Sequence, residues 1–388
     1  MERLIFIKGK NPELSRLEIM SYLDSRNYKY SIVEDSENFT VIDMENVILG
    51  MIESLGGTLK IANVLTEGDD INKVDVGSLG LEKLIKENIF GLSVYSKKDQ
   101  YEIYNSIGKG LKKRFKEKGI KAKFFGFPKH RKPIMSNVEV IKKKLVEHSF
   151  ELVACVSEKR FYIGITNSLH NPLEFQKRDI GRPAQRAIFS IPPRLANIMI
   201  NLAQAKEGYV LLDPFCGIGT ILQEAALKGI TITGIDKDEN CIVSARKNLK
   251  WLSDEYRLKV DLGRRIKTGD ATKLSKYFKN DSIDAIVTEP YLGPPLKGNQ
   301  SQNKVKELFD ELKPLYEKSL KEMYKVLKNG KRIAIVSPCI RTRKDDVIKF
   351  NFEKLAKDAR FNIINSVTDS EKRHRTIREI FVIEKSQL

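Results

Sequence analysis

The sequence predicts an α/β protein: an α+β region in the N-terminal half, followed by a doubly wound, mostly parallel sheet. Two observations support this fold class. From residue 191 onward, short apolar runs alternate with longer amphipathic runs, as in parallel strands that are joined by helices. Before residue 167, strand-like runs also follow one another directly, without a helical run between them. The chain has 388 residues, a length that is consistent with two or three domains.

The first 66 residues predict a small ferredoxin-like domain. "LIFIKG" is typical of a strand, and "NPELSRLEIMSYLDSR" is typical of a helix that Asn11 caps and that carries Pro12 in its first turn. The strand-like runs "YKYSIVE" and "NFTVIDM", a short helix around residues 47–55 and the strand "TLKIANVL" follow. This order of elements is ferredoxin-like, and the same topology binds many different ligands.

Residues 67–166 predict a second α/β unit with a very basic segment. Its strands are "FGLSVYS", "KAKFFGF", "FELVACV" and "RFYIGIT", and its helices are "DQYEIYNSIGKGLKKRFKEKG" and "NVEVIKKKLVEH". Eleven Lys or Arg lie between residues 109 and 132 beside a single acid, Glu117, and Phe124, Phe125 and Phe127 are interleaved with them. Charge beside aromatic rings suits RNA, although a solvated helix face with core phenylalanines is the alternative. The predicted RNA-binding residues are Lys112, Lys113, Arg114, Lys116, Lys121, Lys123, Lys129, Arg131 and Lys132.

The composition favours a polyanionic partner. The net charge is +18 and the pI is about 9.5, which favours nucleic acid, although a generally Lys-rich proteome would give the same excess. No apolar run approaches the ~20 residues of a membrane span, and the start "MERLIFIKGKNPEL" lacks the pattern of a signal peptide. The four cysteines are scattered without a C-x-x-C pair, which argues against a zinc site or a disulfide framework. We therefore expect a cytoplasmic protein with no metal and no membrane partner.

Residues 167–186 contain turn-forming residues without a clear period and predict a linker, and residues 187–388 predict the C-terminal domain. Strand-like runs in that domain are "YVLLDPF", "TITGIDKD", "RIKTGDA", "IDAIVTEP" and "RIAIVSP", and a long helix is expected from about residue 304 to 327. "FNIINSVTDS" and "REIFVIEK" predict an antiparallel hairpin at the end.

Three acidic residues follow three of these strands. Asp213 ends the first strand before a turn with Gly217 and Gly219, and Asp236 ends the second strand 23 residues later. An acid at that spacing can accept both hydroxyls of a ribose, but two glycines do not form the G-x-G-x-x-G loop that binds a pyrophosphate. Asp270 ends the third strand and could accept from an adenine amine.

Three acids favour a nucleoside ligand that carries a cation, and S-adenosylmethionine is such a ligand. The alternative is that the acids are strand-end caps in an unrelated α/β protein. The predicted cofactor-binding residues are Asp213, Phe215, Gly217, Gly219, Thr220, Asp236, Lys237, Asp270, Ala271 and Thr288.

These motifs resemble a known family. "DPFCGIGT", "GIDKD", "GDA" and a corner that contains Pro-Tyr, in this order, are similar to the class I methyltransferases that modify exocyclic amines of bases. "IFSIPPRLANIMINLA" resembles the helix start that flanks the methionine end in that group, and the preceding half resembles a ferredoxin-like domain plus a THUMP domain, an RNA-binding module. The whole layout resembles the archaeal and eukaryotic tRNA guanosine-N2 methyltransferases that act at position ten of tRNA. The resemblance implies a Rossmann-like catalytic domain, S-adenosylmethionine as cofactor and tRNA as substrate.

The corner "VTEPYLGPP" departs from the family pattern, which is Asp, Asn or Ser followed by Pro-Pro-Tyr or Pro-Pro-Phe. In the family, the first side chain and the second carbonyl accept from the amine, and the aromatic ring stacks on the extruded base. Here Thr288 and Glu289 take the first two positions and Pro290 and Tyr291 the last two, so these four are the predicted catalytic residues. The Thr288 hydroxyl could replace the family's acceptor, or the Glu289 carboxylate could accept a proton or pair with a basic neighbour. "LGPPLKGNQSQN" then predicts a mobile lid over the base, or a surface loop.

Other functions stay open at this stage. Methylation of an adenine or cytosine amine in rRNA or DNA is the nearest alternative. An RNA-binding protein with a relic cofactor site comes from another class, and a dinucleotide oxidoreductase lacks its pyrophosphate loop.

Overall fold

The structure is a computed structural model that describes residues 1–46, 50–86, 89–128, 130–185, 190–258, 265–296, 298, 300–342, 346–369 and 375–386. The chain divides into two compact units. The first comprises Met1–Arg16 and Asn27–Leu173, and the second comprises Leu17–Arg26 and Glu174–Leu388. No helix in these described ranges has the length and apolar composition needed to cross a membrane.

The first unit is built on one eight-stranded sheet. Its strands are β1 (Glu2–Lys8), β2 (Tyr30–Asp35), β3 (Phe39–Met44), β4 (Thr58–Gly68), β5 (Ile89–Ser96), β6 (Lys123–Phe124), β7 (Glu151–Val156) and β8 (Phe161–Leu169). The α-helices up to residue 150 are α1 (Pro12–Ser25), α2 (Gln100–Glu117), α3 (Asn137–Lys142) and α4 (Leu145–His148). The strand order is β2-β3-β1-β4-β8-β7-β5-β6, so the regions predicted as 1–66 and 67–166 share one sheet through the antiparallel pair β4–β8.

A buried ion pair connects the two predicted regions inside this sheet. Lys60 on β4 pairs with Glu151 on β7, and both side chains are almost completely buried. Glu151 also accepts from Ser93 Oγ over 2.6 Å and from Thr166 Oγ1 over 2.8 Å, while Lys60 Nζ donates to the Met135 carbonyl over 2.9 Å. These bonds satisfy both buried charges, as buried ions require. The domain boundary that was predicted at residue 66 lies within β4.

Two predicted helices of the first unit differ from the structure. The helix expected around residues 47–55 is one 3-10 turn, Met51–Ser54, that follows Gly50 with a left-handed φ of 90°. Residues 47–49 lie outside the described residues. The helix expected from "NVEVIKKKLVEH" is divided into α3 and α4 because Lys144 between them is left-handed, with a φ of 49°.

The linker predicted at residues 167–186 contains a helix, α5 (Pro172–Ile180), and that prediction is corrected. Asn171 starts the helix by accepting a hydrogen bond from the backbone N–H two residues later, over 3.0 Å. Phe175 and Arg178 form its buried face, and Arg178 Nε donates to Glu224 Oε1 over 2.6 Å. Because the buried face of α5 includes the charged residue Arg178, the sequence does not show the regular spacing of apolar residues that predicts a helix.

The second unit carries the predicted doubly wound sheet. Its strands are β9 (Val210–Asp213), β10 (Thr231–Asp236), β11 (Ile266–Thr268), β12 (Ile283–Thr288), β13 (Leu327–Arg341), β14 (Val347–Lys349), β15 (Phe361–Asp369) and β16 (Thr376–Lys385). After α5, its helices are α6 (Pro193–Leu202), α7 (Thr220–Leu227), α8 (Glu239–Glu255), α9 (Gln302–Val326) and α10 (Phe352–Asp358). The order β11-β10-β9-β12-β13-β16-β15 is parallel through β13, and the last two strands form the predicted antiparallel hairpin. The α/β fold class and the long helix, now α9, are therefore confirmed.

The sheet reverses its direction of growth between β9 and β12. From β9 the chain adds β10 and β11 on one side, and β12 and β13 then follow on the other side. Ligands of such sheets bind in the crevice outside the carboxyl ends of the strands at this switch point. The predicted acids at the ends of β9 and β10, and the corner at the end of β12, therefore lie at the same edge.

Candidate active site

A cavity of about 480 Å³ lies at this edge of the sheet. Most of the predicted cofactor and catalytic residues line it: Asp213, Phe215, Gly217, Thr220, Asp236, Lys237, Asp270, Ala271, Glu289, Pro290 and Tyr291. Gly219 and Thr288 are not among its lining residues. The cavity thus brings together four sequence motifs that are separated by up to about 80 residues.

The turn after β9 depends on its glycines. Gly217 and Gly219 have φ values of +51° and +89°, in the left-handed region that side chains rarely adopt. A Cβ on Gly219 would also lie 3.3 Å from Ala245 Cβ. Gly219 therefore shapes the turn and caps α7 without contacting the cavity itself.

The carboxylate of Asp236 is held in place by two backbone groups. The N–H of Gly217 donates to Oδ2 over 2.8 Å, and the N–H of Asp238 donates to Oδ1 over 2.9 Å. Asp236 is half-buried on the cavity wall, beside exposed Lys237. A carboxylate oxygen accepts more than one hydrogen bond, so this group can still accept from a hydroxyl pair in the cavity.

Asp270 is held in a similar way at the next strand end. Its Oδ1 accepts from the backbone N–H of Thr272 over 2.9 Å and from the Thr272 hydroxyl over 2.7 Å, and Lys273 Nζ lies 3.6 Å from Oδ2. Burial opposes ionisation, but the bonds from Thr272 and the charge of Lys273 outweigh it and lower the pKa of Asp270. The side chain is therefore an ionised acceptor on the cavity wall.

Asp213 and Thr288 form a buried pair beneath the corner. The Thr288 hydroxyl donates to Asp213 Oδ1 over 2.7 Å, and the N–H of Phe215 donates to the same oxygen over 3.1 Å. Burial raises the pKa of Asp213 from 3.8 to about 7, although both hydrogen bonds act in the opposite direction. Thr288 is completely buried. Thr288 donates its hydroxyl proton to Asp213 and is not among the residues that line the cavity, whereas its oxygen keeps acceptor capacity, so the acceptor role expected of it stays a prediction.

Glu289 pairs with a basic neighbour, one of the two roles considered for its side chain. Arg378 Nε on β16 donates to Glu289 Oε1 over 2.6 Å, and the two side chains are only 19% and 10% exposed. Burial alone would lower the pKa of Arg378, but the charge of Glu289 outweighs it, so the pKa lies above its ordinary value. Arg378 is therefore a cation at neutral pH beside the Glu289 carboxyl group.

Tyr291 lies at the rim of the cavity, where its side chain can meet a large ligand. It is 53% exposed, an unusual state for an aromatic residue that lines a cavity. Its backbone carbonyl accepts from the hydroxyl of buried Tyr316 over 3.3 Å, which fixes the chain behind the ring. Of the predicted lid, Lys297 and Asn299 lie outside the described residues.

Sequence reasoning missed two arginines of this site. Arg182 was assigned to the linker, yet it is buried and donates to Thr220 Oγ1 over 2.5 Å and to Ser190 Oγ over 2.8 Å, two residues that line the cavity. Arg378 stands in a terminal strand, 89 positions from Glu289. Only the pairing of β16 with β13 brings it to the corner, so no local pattern could have identified it.

The basic segment of the first unit is partly a solvated face and partly occupied by ion pairs. Lys112, Lys113, Lys116, Lys121, Lys123 and Lys132 are exposed, and Lys129 lies outside the described residues. Arg114 is half-buried, 3.5 Å from Glu82, and Arg131 binds Glu139 through two bonds of 2.6 Å. These two arginines are therefore less available to RNA than the sequence indicated.

The phenylalanines of this segment pack within the first unit, as the alternative interpretation expected. Phe124 stacks on Tyr104 with ring centroids 4.7 Å apart, and Phe127 meets Tyr104 edge-on at 5.5 Å. Lys97 and Lys98, which the sequence did not single out, line a cleft of about 540 Å³ together with Lys132. The available charge therefore comes from lysines rather than from the arginines or rings. Within the described ranges, no group of three or more His, Cys, Asp or Glu side chains could hold a metal ion.

The comparisons with known proteins agree with this geometry. The UPF0020 family, "RMKL-like, methyltransferase domain", matches residues 182–357. The "tRNA (guanine(10)-N2)-dimethyltransferase" of Pyrococcus abyssi is 28% identical over 86% of this chain and 87% of its own length. The "Probable tRNA (guanine(10)-N2)-dimethyltransferase" of Methanothermococcus thermolithotrophicus is 33% identical over 31% of this chain and 70% of its own length.

A solved structure resembles both halves of the chain. TrmN from Thermus thermophilus has a TM-score of 0.56 at 18% identity and covers 99% of both chains, a likeness that shows the fold alone. The sequence relatives go further than the fold. On their evidence, the chain belongs to the family of the tRNA (guanine(10)-N2)-dimethyltransferases.

Proposed function

We propose that this protein is a tRNA methyltransferase that transfers a methyl group from S-adenosylmethionine to the exocyclic N2 amine of the guanosine at position ten. The observation that carries the proposal is the single cavity that holds the three strand-end acids and the Glu289-Pro290-Tyr291 corner. The relatives named above supply the reaction and the position.

The residues of the cavity fit this cofactor. The glycine turn after β9 leaves bare backbone at the cavity wall, and Asp236 offers a fixed carboxylate to ribose hydroxyls. Asp270 is an ionised acceptor for an adenine amine, and the acids together favour a cation over a phosphorylated ligand. When bound, the cofactor supplies an electrophilic methyl group beside the corner.

The corner orients the base. The lone pair of a guanine amine is delocalised into the ring, so an enzyme must hold the N–H groups to aim that lone pair. The backbone carbonyl of Glu289 would be one acceptor in this arrangement, and exposed Tyr291 offers a ring on which an extruded base can stack. Thr288 acts through Asp213, whose carboxyl its hydroxyl holds.

The exposed lysines of the first unit supply the positive surface for tRNA. Lys112, Lys113 and Lys116 lie on α2, and Lys97, Lys98 and Lys132 line the 540 Å³ cleft. Phosphate contacts of this kind position the RNA, and the cavity selects the base. The THUMP-like identity of residues 67–166 is part of the proposal, and so is a cytoplasmic location, because the four cysteines are free and buried.

In vitro methylation tests the proposal. The purified protein is incubated with methyl-labelled S-adenosylmethionine and tRNA transcripts that carry guanosine, inosine or adenosine at position ten. We expect label on the guanosine transcript alone, because inosine lacks the amine, and nucleoside mass spectrometry then counts one or two methyl groups. Equal labelling of the inosine transcript, or label at another position, would contradict the proposal.

A further inference from the structure

We propose that the carboxylate of Glu289 selects guanine by accepting hydrogen bonds from the N1–H and N2–H groups of the target base. This inference rests on the proposed function and adds a specificity residue to it. The family pattern has proline at this position, so the carboxylate is a feature of this chain.

The carboxylate of Glu289 has acceptor capacity left. Arg378 Nε occupies Oε1 over 2.6 Å, whereas the contact of Oε2 with Arg378 Nη2 is 3.5 Å. A charge-assisted N–H···O bond is usually about 2.7–2.9 Å long. Among the described residues, Oε2 makes no shorter hydrogen bond than this, so it can accept from a ligand.

The position of the carboxylate also suits a bound base. Glu289 lines the same cavity as buried Asp213 and half-exposed Tyr291. After burial, which is the larger cause, the charge of Glu289 contributes to the raised pKa of Asp213 and of Tyr316. The carboxylate is therefore within electrostatic reach of the cavity floor and of the residue behind the corner. A base that stacks on Tyr291 would present its edge to this group.

The chemistry of the base edges gives the selectivity. Guanine carries two adjacent donors, N1–H and N2–H. An ionised carboxylate only accepts hydrogen bonds, so it can accept both of them, through one oxygen or through two. Adenine and cytosine carry a ring nitrogen acceptor beside their amine, and a carboxylate repels that lone pair. The second N2–H remains free for the backbone carbonyl of Glu289, so both acceptors can act together.

The ion pair with Arg378 has a part in this recognition. An isolated carboxylate at 10% exposure would tend to bind a proton, and a protonated acid would present a donor instead of an acceptor. The Arg378 charge favours the carboxylate form, and its short bond occupies Oε1 and leaves Oε2 with only a 3.5 Å contact. Arg378 is in this sense a positioning residue, because it acts through Glu289.

The test compares two bases that share the N2 amine. Guanosine carries N1–H, whereas 2-aminopurine carries an unprotonated N1. Transcripts with either base at position ten are assembled by ligation, and single-turnover methylation rates are measured for the wild type, Glu289→Gln and Glu317→Gln. Glu317 is a matched control because it lies on α9, where it pairs with exposed Lys321.

The wild type should methylate guanosine roughly 10- to 100-fold faster than 2-aminopurine, the range expected for a good bidentate contact. In Glu289→Gln the amide oxygen should accept from Arg378, so the amide NH₂ group faces N1 of the base. Two donors then oppose each other with guanosine, whereas the amide can donate to the unprotonated N1 of 2-aminopurine. The ratio of the two rates should therefore fall at least about tenfold in Glu289→Gln and stay unchanged in Glu317→Gln.

Two results would overturn the inference. An unchanged ratio in Glu289→Gln, even with lower rates on both bases, would make Glu289 a structural partner of Arg378 only. Equal wild-type rates on both bases would show that the enzyme does not recognise N1–H. This result needs no variant, so the inference can be tested even if Glu289→Gln folds poorly. A wild type that methylates neither base would instead contradict the proposed function, and the inference with it.

Discussion

Two groups of residues at the cavity, the strand-end acids Asp236 and Asp270 and the corner Thr288–Tyr291, differ in how far apart in sequence their hydrogen-bond partners lie. At the cofactor end, Asp236 is fixed by Gly217 and Asp238, and Asp270 by Thr272, partners that lie 2 to 19 positions away. At the corner, Thr288 is held by Asp213, 75 positions away, and Glu289 by Arg378, 89 positions away. The cofactor end is thus built by local turns, whereas the corner depends on the assembly of distant strands. Substitutions should therefore separate cofactor binding from base recognition.

The largest expected effect is on stability, and it concerns the buried pair of Asp213 and Thr288. The pKa of Asp213 in the folded protein, about 7, is above its ordinary value of 3.8, so the folded state binds a proton that the unfolded state has released. Stability is therefore lost as the pH rises from about 4 to about 7, by at most about 4 kcal/mol at about 1.4 kcal/mol per pKa unit. Asp213→Asn keeps the acceptor oxygen and removes this dependence.

Urea unfolding of both proteins over this pH range measures the difference. We expect the stability of the wild type relative to Asp213→Asn to fall as the pH rises. A difference that stays constant from pH 4 to pH 8 would mean that Asp213 is ionised throughout.

The cofactor end should fail alone in Asp236→Ala. Loss of two charge-assisted hydrogen bonds to ribose hydroxyls should weaken S-adenosylmethionine binding by about 2–4 kcal/mol in calorimetry. Asp254→Ala, on the exposed face of α8, is the matched control and should bind normally. Unchanged affinity in Asp236→Ala would remove this residue from the cofactor site.

The corner should fail alone in Tyr291→Ala. Under the proposed function the ring stacks on the base and not on the cofactor, so single-turnover methylation should drop by the equivalent of about 1–3 kcal/mol while cofactor affinity stays nearly constant. Tyr291→Phe keeps the ring and should retain most of the rate. Equal losses of methylation and of cofactor binding in Tyr291→Ala would break the proposed separation of the two ends.

The smallest effect concerns the basic face of the first unit. Replacing Lys112, Lys113 and Lys116 with Gln should flatten the salt dependence of tRNA affinity, by up to about 0.9 in the log–log slope for each lost phosphate contact. Replacement of Lys247, Lys250 and Lys354, three exposed lysines of the second unit, controls for net charge. If the slope of log affinity against log salt concentration is the same in both triple variants, the α2 lysines do not contact tRNA specifically and are only a solvated face.

The same difference in sequence separation explains which features the sequence could predict. The strand–helix alternation, the acids at strand ends and the left-handed glycines are local patterns, and the three acids and Gly217 line one cavity. The inward turn of Thr288 and the Arg378 partner of Glu289 are set by strand pairing across the sheet, which no local pattern encodes. Helix α5 was missed for a related reason, since its buried face includes Arg178, a charge that only distant Glu224 satisfies.

Nucleoside mass spectrometry of position ten in tRNA from a deletion strain tests the central claim most directly. The N2-methylated guanosine should disappear at this position in the deletion strain. The wild-type gene should restore it, and the Tyr291→Ala gene should restore much less. Unchanged methylation at position ten, with loss of a methyl group from an adenine or cytosine amine elsewhere, would contradict the account.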